Sequence, residues 1–256
     1  MAEQNRFLDR LTNRAALRRW ARAARRADAT DLTELRVQRQ HARRLRHHLD
    51  KLIQAADSRL ALPRIGSTRF PKPNDTDWAY RPELWRGPLR NPGLSCVASN
   101  ALLGEEVKVF HDCTRSELTL RQLRNTRVAD LAPFGLQMDV FGFDGSYLSL
   151  AIDLPDSAVK DLRRRHLLRM EAIVELESPL RIFARLNIKH GPNVEQLVME
   201  LPLTDKAALV EFDLAYSNLN ERRVERLWLD LIFEEPAMNQ VILRDLTFSR
   251  RPRAEL

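Results

Sequence analysis

The residue types that most often catalyse reactions or bind metal ions are scattered along this sequence. The six histidines form no pair at metal-ligand spacing on one element outside residues 41–48, and Cys96 and Cys113 are 17 positions apart without a CxxC motif. The sequence contains neither a glycine-rich phosphate loop nor a GxSxG nucleophile elbow. We therefore expect no metal, no cofactor and no catalytic residue.

One local trio, His111, Asp112 and Cys113, suggests a Cys–His pair. Neighbours on a strand point to opposite faces, so His111 and Cys113 could share a face, but no third group that would orient the histidine can be named. We favour a structural interpretation, in which a hydrogen-bonded strand histidine lies beside a buried cysteine.

Acidic side chains that interrupt apolar strands are candidates for ligand binding. Each lies on an alternating strand and is expected to point away from the core, where solvent is its ordinary partner and a ligand is the alternative. They are Asp139 in LQMDVF, Asp153 in LAIDLP, Asp230 in LWLDLIF and Asp245 in LRDLTF.

Basic residues also recur along one face of a strand. Arg181, Arg185 and Lys189 could form a stripe that binds sulfate, phosphate or uronate groups. The equal alternative is cross-strand pairing with acids of the preceding strand, Glu171, Glu175 and Glu177.

Three aromatic candidates, Trp78, Tyr80 and Trp85, lie in a segment, residues 63–93, that contains six of the thirteen prolines. Its prolines and glycines argue against any helix there. Aromatic residues on such a segment either anchor it to a domain or form a platform for a sugar ring, and anchoring is the commoner case.

From residue 105 onward, apolar residues recur with period two, which predicts β-strands. With regular turn signals between them, these strands predict a mainly β fold, an antiparallel jelly-roll-like β-sandwich of about ten strands. One helical insertion, capped by Asp156, is expected over 156–166. The strands are expected at 107–112, 117–123, 136–141, 148–154, 168–176, 180–188, 195–201, 210–216, 227–233 and 240–249.

Before this β region, two helices are predicted, over residues 6–27 and 31–60, the second capped by Asp31. Ala42, Leu45, Leu49, Leu52 and Ala56 follow the 3, 4 spacing of a coiled-coil seam. Such a seam needs a partner, which is the first helix, a second copy of the chain through residues 31–60, or the β domain.

The same segment is strongly basic, because residues 1–64 hold 16 of the 42 Lys and Arg but 7 of the 35 Asp and Glu. This charge indicates contact with a polyanion or, as the favoured alternative, a solvated helix face. Nucleic acid is not favoured, because Trp20 is the only Trp or Tyr there that could stack on a base. The candidates for polyanion binding are Arg18, Arg19, Arg22, Arg25, Arg26, Arg39, Arg43, Arg44 and Arg46.

The predicted organisation is a basic helical hairpin or coiled coil over 1–62, a proline-rich arm packed on the sandwich over 63–104, and a β-sandwich domain over 105–256. No apolar run is long enough to span a bilayer, and the first residues are too charged for a secretory signal. We therefore expect a cytoplasmic protein without a transmembrane segment, with both cysteines as free thiols.

Residues from about Trp85 to Arg253, with the motifs WRGPLRNPG, HDC, FDGSYLSLAIDLP and WLDLIFEEPAMNQVILRDLTFSRRPRAEL, resemble an uncharacterised bacterial family, a domain of unknown function. More loosely, VILRDLTFSRRP is similar to the last strand of carbohydrate-binding modules of the galactose-binding-like sandwich. The first resemblance implies no activity and no functional residue.

The sequence as a whole favours a noncatalytic binding or assembly module. Its sandwich would recognise a saccharide or a protein partner, and its basic helices would serve oligomerisation or polyanion contact. One alternative is a saccharide-acting hydrolase, which needs two carboxylates in one concave pocket of the β face. The other is a binder of nucleic acid or an anionic surface through the helices.

Overall fold

The computed structural model describes residues 2–60, 70–127, 129–203 and 207–253. The chain divides into two compact units, Met1–His48 and Leu49–Leu256. The predicted boundary between the helical segment and the arm, at residue 62, lies outside the described residues, so the three-part division stays a prediction.

The helical segment forms two long helices, α1 (Ala2–Arg26) and α2 (Leu32–Leu60), joined by a 3-10 turn at Ala27–Ala29. Asp31 caps α2, because its carboxylate accepts a hydrogen bond of 2.8 Å from the backbone N–H of Thr33. That hydrogen bond lowers the pKa of Asp31. On α2 the seam residues Leu45, Leu49 and Leu52 are exposed.

The rest of the described chain is mostly strand. All ten predicted strands are present, and three short strands, β1 to β3, had not been predicted. The strands are β1 (Trp78–Tyr80), β2 (Gly93–Ser95), β3 (Ala101–Leu103), β4 (Val107–His111), β5 (Leu118–Arg124), β6 (Phe134–Val140), β7 (Leu148–Asp153), β8 (His166–Leu176), β9 (Ile182–His190), β10 (Asn193–Glu200), β11 (Ala207–Asp213), β12 (Val224–Phe233) and β13 (Asn239–Pro252).

These strands form two antiparallel sheets. The first sheet has the order β11-β8-β13-β6-β5-β2, with β1 pairing with β13, and the second has the order β10-β9-β12-β7-β4-β3. One cluster of buried apolar side chains draws on both sheets, for example Leu136 and Met170 from the first and Leu150 and Leu229 from the second. The predicted antiparallel sandwich is therefore confirmed.

The helix predicted over 156–166 is wrong. A 3-10 turn covers Asp156–Ala158, its N-cap is Pro155, and the following residues form turns up to β8. Asp161 has a left-handed backbone with φ of 58°, which an α-helix does not tolerate.

The absence of helix predicted for the proline-rich segment is also wrong at one place. A four-residue helix, α3 (Glu83–Arg86), begins directly after Pro82 and ends directly before Gly87. No proline lies inside it, so the backbone N–H groups needed for helical hydrogen bonds are present. The N–H of Gly87, for example, donates to the carbonyl of Glu83 at 3.1 Å.

Candidate functional site

An open groove of about 510 Å³ lies on the outer face of the second sheet. On β7, Leu148, Leu150 and Ile152 belong to the core, so the alternate residues of this strand face outward. The groove is lined by Lys108, Phe110, Tyr147, Ser149, Ala151, Asp153, Arg185, Asn187, Gln196, Arg226, Trp228, Asp230 and Ile232.

The groove exists because two outward residues of β7, Ser149 and Ala151, are small. Ala151 is paired with Lys108 of β4 on one side and with Asp230 of β12 on the other. Ser149 lies in the same way between Phe110 and Ile232. Larger side chains thus border a trough along β7, and its floor residue Ala151 is 8% exposed although it faces outward.

The β9 side of the groove is a polar network around the buried Asp230. Its Oδ2 accepts hydrogen bonds from Nε (3.0 Å) and Nη2 (2.8 Å) of Arg185 and from Nδ2 (2.9 Å) of Asn187. The Oδ1 of Asn187 accepts one from Gln196 at 2.9 Å. Because each group holds the next, the polar side chains of this wall are fixed before any ligand arrives.

A second charged group, centred on Asp153, lies at one end of the groove. Its carboxylate pairs with Arg226, and its Oδ2 lies 3.6 Å from Nζ of Lys108. The guanidinium carbon of Arg226 also lies 5.1 Å from the centre of the Trp228 ring. This end therefore combines an aromatic ring with two cations that share one carboxylate.

Several polar atoms of the lining residues remain available to a ligand. Nε1 of Trp228, Nη1 of Arg185 and Oδ1 of Asp230 make no hydrogen bond to any residue that the structure describes. Two of these atoms are donors and one is an acceptor. The groove thus offers both kinds of hydrogen bond beside an aromatic surface.

Tyr147 is positioned by the loop that precedes β7. The carboxylate of Asp112 accepts hydrogen bonds from the backbone N–H groups of Ser146 (2.7 Å) and Tyr147 (3.2 Å) and from the Ser146 hydroxyl (2.6 Å). The hydroxyl contact is the main reason that the pKa of Asp112 is lowered. A Cβ on Gly145 would lie 2.5 Å from this carboxylate, so the close approach requires glycine.

The structure brings together three of the predicted ligand-binding residues, Asp153, Arg185 and Asp230. The expectation that strand acids face solvent is wrong for Asp230 and Asp245, which are each 5% exposed. Asp245 forms a bidentate pair with Arg81, with Nε–Oδ1 of 2.8 Å and Nη2–Oδ2 of 2.7 Å. Burial of these carboxylates is tolerated because arginine partners compensate their charge.

The predicted aromatic residues lie outside the groove. Trp85 is fully buried and donates from Nε1 to the carbonyl of Leu243 at 2.9 Å, so it anchors the proline-rich segment. Trp78 and Tyr80 lie on β1, beside β13 of the first sheet, with ring centres 6.1 Å apart. The Tyr80 hydroxyl is hydrogen-bonded to Glu106; burial and this carboxylate raise the pKa of Tyr80.

Two more predicted residues also have partners elsewhere. Asp139 of β6 accepts from Gln137 at 2.9 Å and from Gln240 at 2.7 Å on the first sheet. Arg181, just before β9, pairs with Glu200 at 3.0 Å and Glu234 at 2.9 Å.

The alternative of pairing between the β9 cations and the β8 acids is wrong, because β8 and β9 belong to different sheets. The chain crosses the sandwich between them, at Glu177-Ser178-Pro179. Partners of the cations come instead from strands of the second sheet and from the residue after β12; Lys189, for instance, pairs with Glu225 at 2.8 Å.

In the trio at residues 111–113, His111 is a buried, hydrogen-bonded strand residue, as favoured, whereas Cys113 lies after the end of β4 and is only partly buried. One ring nitrogen of His111, Nε2, lies 2.8 Å from the carbonyl oxygen of Val97, and the other accepts from the backbone N–H of Cys113 at 3.2 Å. Burial raises the pKa of the Cys113 thiol, which disfavours the nucleophilic thiolate. Cys96 and Cys113 are both free thiols.

The nine predicted polyanion-binding arginines are all exposed on the helices, and none of them lines the groove. Five lie on α1 and four on α2. Arg19 lies over the ring of Trp20, at 5.4 Å from its centre. Neither described helix is long and apolar enough to cross a bilayer.

Most of the groove residues were not predicted from the sequence. The signal that could have found them is that residues two apart on a strand lie on the same face. Trp228 and Asp230 are two apart on one strand, as are Arg185 and Asn187, so each pair faces the same way. The outward positions of LSLAID, Ser149 and Ala151, are unusually small for a strand with large neighbours. Which strands flank them depends on pairing between residues far apart in sequence.

The hydrolase alternative requires two carboxylates in one pocket, one of them as the acid. Two carboxylates line the groove, but both accept hydrogen bonds or ion pairs from cations, whereas a glycosidase acid must present an O–H to the glycosidic oxygen. Within the described parts of the chain, no group of three or more His, Cys, Asp or Glu could hold a metal ion.

Comparison with solved structures finds similar structures of low sequence identity, several of them carbohydrate-binding modules. A family 11 carbohydrate-binding module of Clostridium thermocellum is 11% identical, with a TM-score of 0.39, covering 64% of this chain and 97% of the module. The CBM22-1 xylan-binding domain of Paenibacillus barcinonensis Xyn10C is 12% identical, with a TM-score of 0.32 and coverage of 64% and 94%.

A third similar structure is the enzymatically active domain of bacteriophage CBA120 tailspike protein 4. It is 6% identical, with a TM-score of 0.39; the match covers 56% of this chain and only 19% of the tailspike chain. No curated protein matches the sequence. The family model that does match spans residues 1–256, and the chain belongs to DUF6478, a family of unknown function.

Proposed function

We propose that this protein is a noncatalytic module that binds a saccharide chain in the groove of the second sheet. The observation that supports this most strongly is the combination, in one trough, of the Trp228 ring with a fixed network of Arg185, Asn187 and Asp230. Sugars present an apolar face of C–H groups and a rim of hydroxyls, so they need both features side by side.

The aromatic part of the groove supplies the apolar contact. Trp228 and Phe110 are half-buried on the two sides of the β7 trough, and Tyr147, directly before β7, is exposed. Aromatic side chains have only two rotatable bonds, so they lose little conformational entropy on binding. A chain of pyranose rings lying along β7 would contact them in succession.

The polar part supplies specificity. Each sugar hydroxyl is both a donor and an acceptor, and the groove offers the free Nε1 of Trp228, Nη1 of Arg185 and Oδ1 of Asp230. Because the ion pair already fixes the side chains of Arg185 and Asp230, little conformational entropy is lost when a ligand binds to them. Each of these two side chains uses some of its polar atoms in the ion pair and leaves another polar atom for a sugar hydroxyl.

The basic helices are proposed to form a separate interaction device, for self-association through residues 31–60 or for polyanion contact. Exposure of Leu45, Leu49 and Leu52 supports the first and exposure of the arginines supports the second. Light-scattering mass and heparin retention of the full chain, each at low and high salt, distinguish these from a solvated face. A cytoplasmic location stays a prediction, for which cell fractionation is the test.

The saccharide proposal is tested with a glycan array, followed by titration calorimetry on the best ligand. Trp228→Ala should reduce affinity by about thirtyfold or more, the effect of losing a central aromatic contact. Tyr216→Ala is the matched control, because Tyr216 is an exposed aromatic residue outside the groove. Gln196→Ala, which removes a surface side chain of the network, should weaken binding about threefold without affecting folding.

The proposal fails if no glycan binds, or if Trp228→Ala and Tyr216→Ala bind equally well. Release of reducing ends from the bound glycan would contradict the noncatalytic assignment and support the hydrolase alternative.

A further inference from the structure

The charges that line the groove do not cancel. Three cations, Lys108, Arg185 and Arg226, face two carboxylates, Asp153 and Asp230. Arg185 and Asp230 form a pair. The excess positive charge therefore lies at the other end, where Lys108 and Arg226 share Asp153.

Both cations at that end are accessible. The side chain of Arg226 is 50% exposed and that of Lys108 is 31% exposed, whereas Asp153 is 27% exposed between them. A single carboxylate with two cationic neighbours leaves guanidinium and ammonium N–H donors without an anionic acceptor. An additional anion at this end would restore the balance.

The position of Arg226 also relates it to a bound sugar. Its guanidinium lies 5.1 Å from the centre of the Trp228 ring. A pyranose in contact with this indole would bring its exocyclic substituents within reach of Arg226. A planar carboxylate can accept two parallel hydrogen bonds from a guanidinium, which a neutral hydroxymethyl group cannot.

We infer that the saccharide bound in the groove is acidic, with a carboxylate or sulfate group that accepts hydrogen bonds from the exposed N–H groups of Lys108 and Arg226. This inference rests on the proposed function and assigns the class of its ligand. A densely charged polymer such as nucleic acid fits less well, because Asp153 and Asp230 would repel closely spaced phosphates. A sugar chain with one anionic group per ring or per repeat matches a single cationic end.

The test uses the full chain and pairs of polymers that differ only in charge. Polygalacturonate is compared with carboxyl-reduced polygalacturonate, alginate with carboxyl-reduced alginate, and carrageenan with its desulfated form, by affinity electrophoresis at low and high salt. At least one acidic polymer should bind about tenfold more tightly than its neutral partner, the effect of a charge-assisted hydrogen bond. The pair that shows the difference identifies carboxylate or sulfate as the group.

Three variants locate the preference. Lys108→Met and Arg226→Gln should each reduce the ratio of acidic to neutral affinity by several-fold up to about tenfold. Arg121→Gln is the matched control, because it removes one exposed positive charge from the first sheet, where Arg121 donates to Gln137. It should leave the ratio unchanged if the effect is local rather than a matter of net charge.

The possible results separate this inference from the proposed function. If polymers bind but every neutral polymer binds as tightly as its acidic partner, the acidic class is wrong while saccharide binding stands. If the control lowers the ratio as much as the two groove variants, the assignment to Lys108 and Arg226 is wrong. If no polymer and no arrayed glycan binds, both proposals fail together.

Discussion

The outer faces of the two sheets follow the same alternation but have different surfaces. On the first sheet, long polar side chains bridge neighbouring elements: Glu175 accepts from Arg127 and Arg244, and Asp139 accepts from Gln137 and Gln240. On the second sheet, the small outward residues of β7 leave a trough between such side chains. The difference between the two faces therefore comes from side-chain size on one central strand rather than from polarity: the first sheet is covered by paired side chains, and the second has a groove.

The largest expected effect comes from filling the trough. Ala151→Trp should abolish saccharide binding, a loss of at least about a hundredfold, because an indole would occupy the floor on which the ligand lies. Titration calorimetry and thermal unfolding check binding and folding separately. The control is Ala207→Trp, which adds the same group to an exposed position of the first sheet and should not change binding. If both variants bind the saccharide with equal affinity, the ligand does not bind in the groove of the second sheet.

The next effect concerns stability at the first sheet. Asp245→Ala should lower the free energy of unfolding by about 3–5 kcal/mol, because it removes the carboxylate that forms two hydrogen bonds with the buried Arg81 guanidinium. Asp230→Ala should cost less, about 1–3 kcal/mol, because solvent reaches Arg185, whose side chain is 36% exposed. Urea denaturation measures both.

An apolar replacement of the whole pair, Arg81→Met with Asp245→Leu, should restore most of the loss. A double variant as unstable as Asp245→Ala would show that the pair contributes more than charge compensation.

Smaller effects are expected at two glycines, one of which should affect stability and the other saccharide binding. A Cβ on Gly135 would lie 2.9 Å from the carbonyl oxygen of Leu243, so Gly135→Ala should cost about 1–3 kcal/mol of stability and leave binding unchanged. Gly145→Ala should displace the loop that holds Tyr147 and weaken binding about threefold. Unfolding and titration of both variants check this, and the reverse pattern would contradict the placement of the groove.

The smallest effect is a pH dependence of stability at the start of β8. Burial, and then the neighbouring Arg250 guanidinium, lower the pKa of His166 below its ordinary value of 6.5. The unfolded chain therefore binds the proton more tightly, so this contribution to stability is complete above pH 6.5 and is lost as the pH falls through the lowered pKa. The stability difference between wild type and His166→Gln should shrink from pH 7 to pH 5. Urea denaturation at each pH measures this difference. A difference that stays constant would show that the pKa of His166 is the same in the folded and unfolded chain.

Much of the sandwich follows from local sequence, because alternation along one strand is visible in that strand alone. LRIFARLNI predicts β9 and also the outward position of Arg185. The short strands β1 to β3 were not predicted, because three residues such as Trp78–Tyr80 are too few to show a period.

The groove could be predicted only in part. Asp153, Arg185 and Asp230 were candidates by residue type, but Trp228 and Ala151 were not. Their roles depend on the order β9-β12-β7-β4, which pairs residues as far apart in sequence as Leu148 and Phe233 and is decided by packing of the core. Aromatic residues in the proline-rich segment gave a stronger sequence signal than Trp228, yet the structure uses Trp85 as an anchor.

The most direct test of saccharide binding in the groove follows the indole N–H signals of the four tryptophans in a nitrogen-15 NMR spectrum during titration with the best glycan. Trp228→Phe assigns the signal of Trp228. The account predicts that this signal shifts in proportion to ligand bound, while those of Trp20, Trp78 and Trp85 stay in place. A shift at Trp78 or Trp20 with Trp228 unmoved would contradict it.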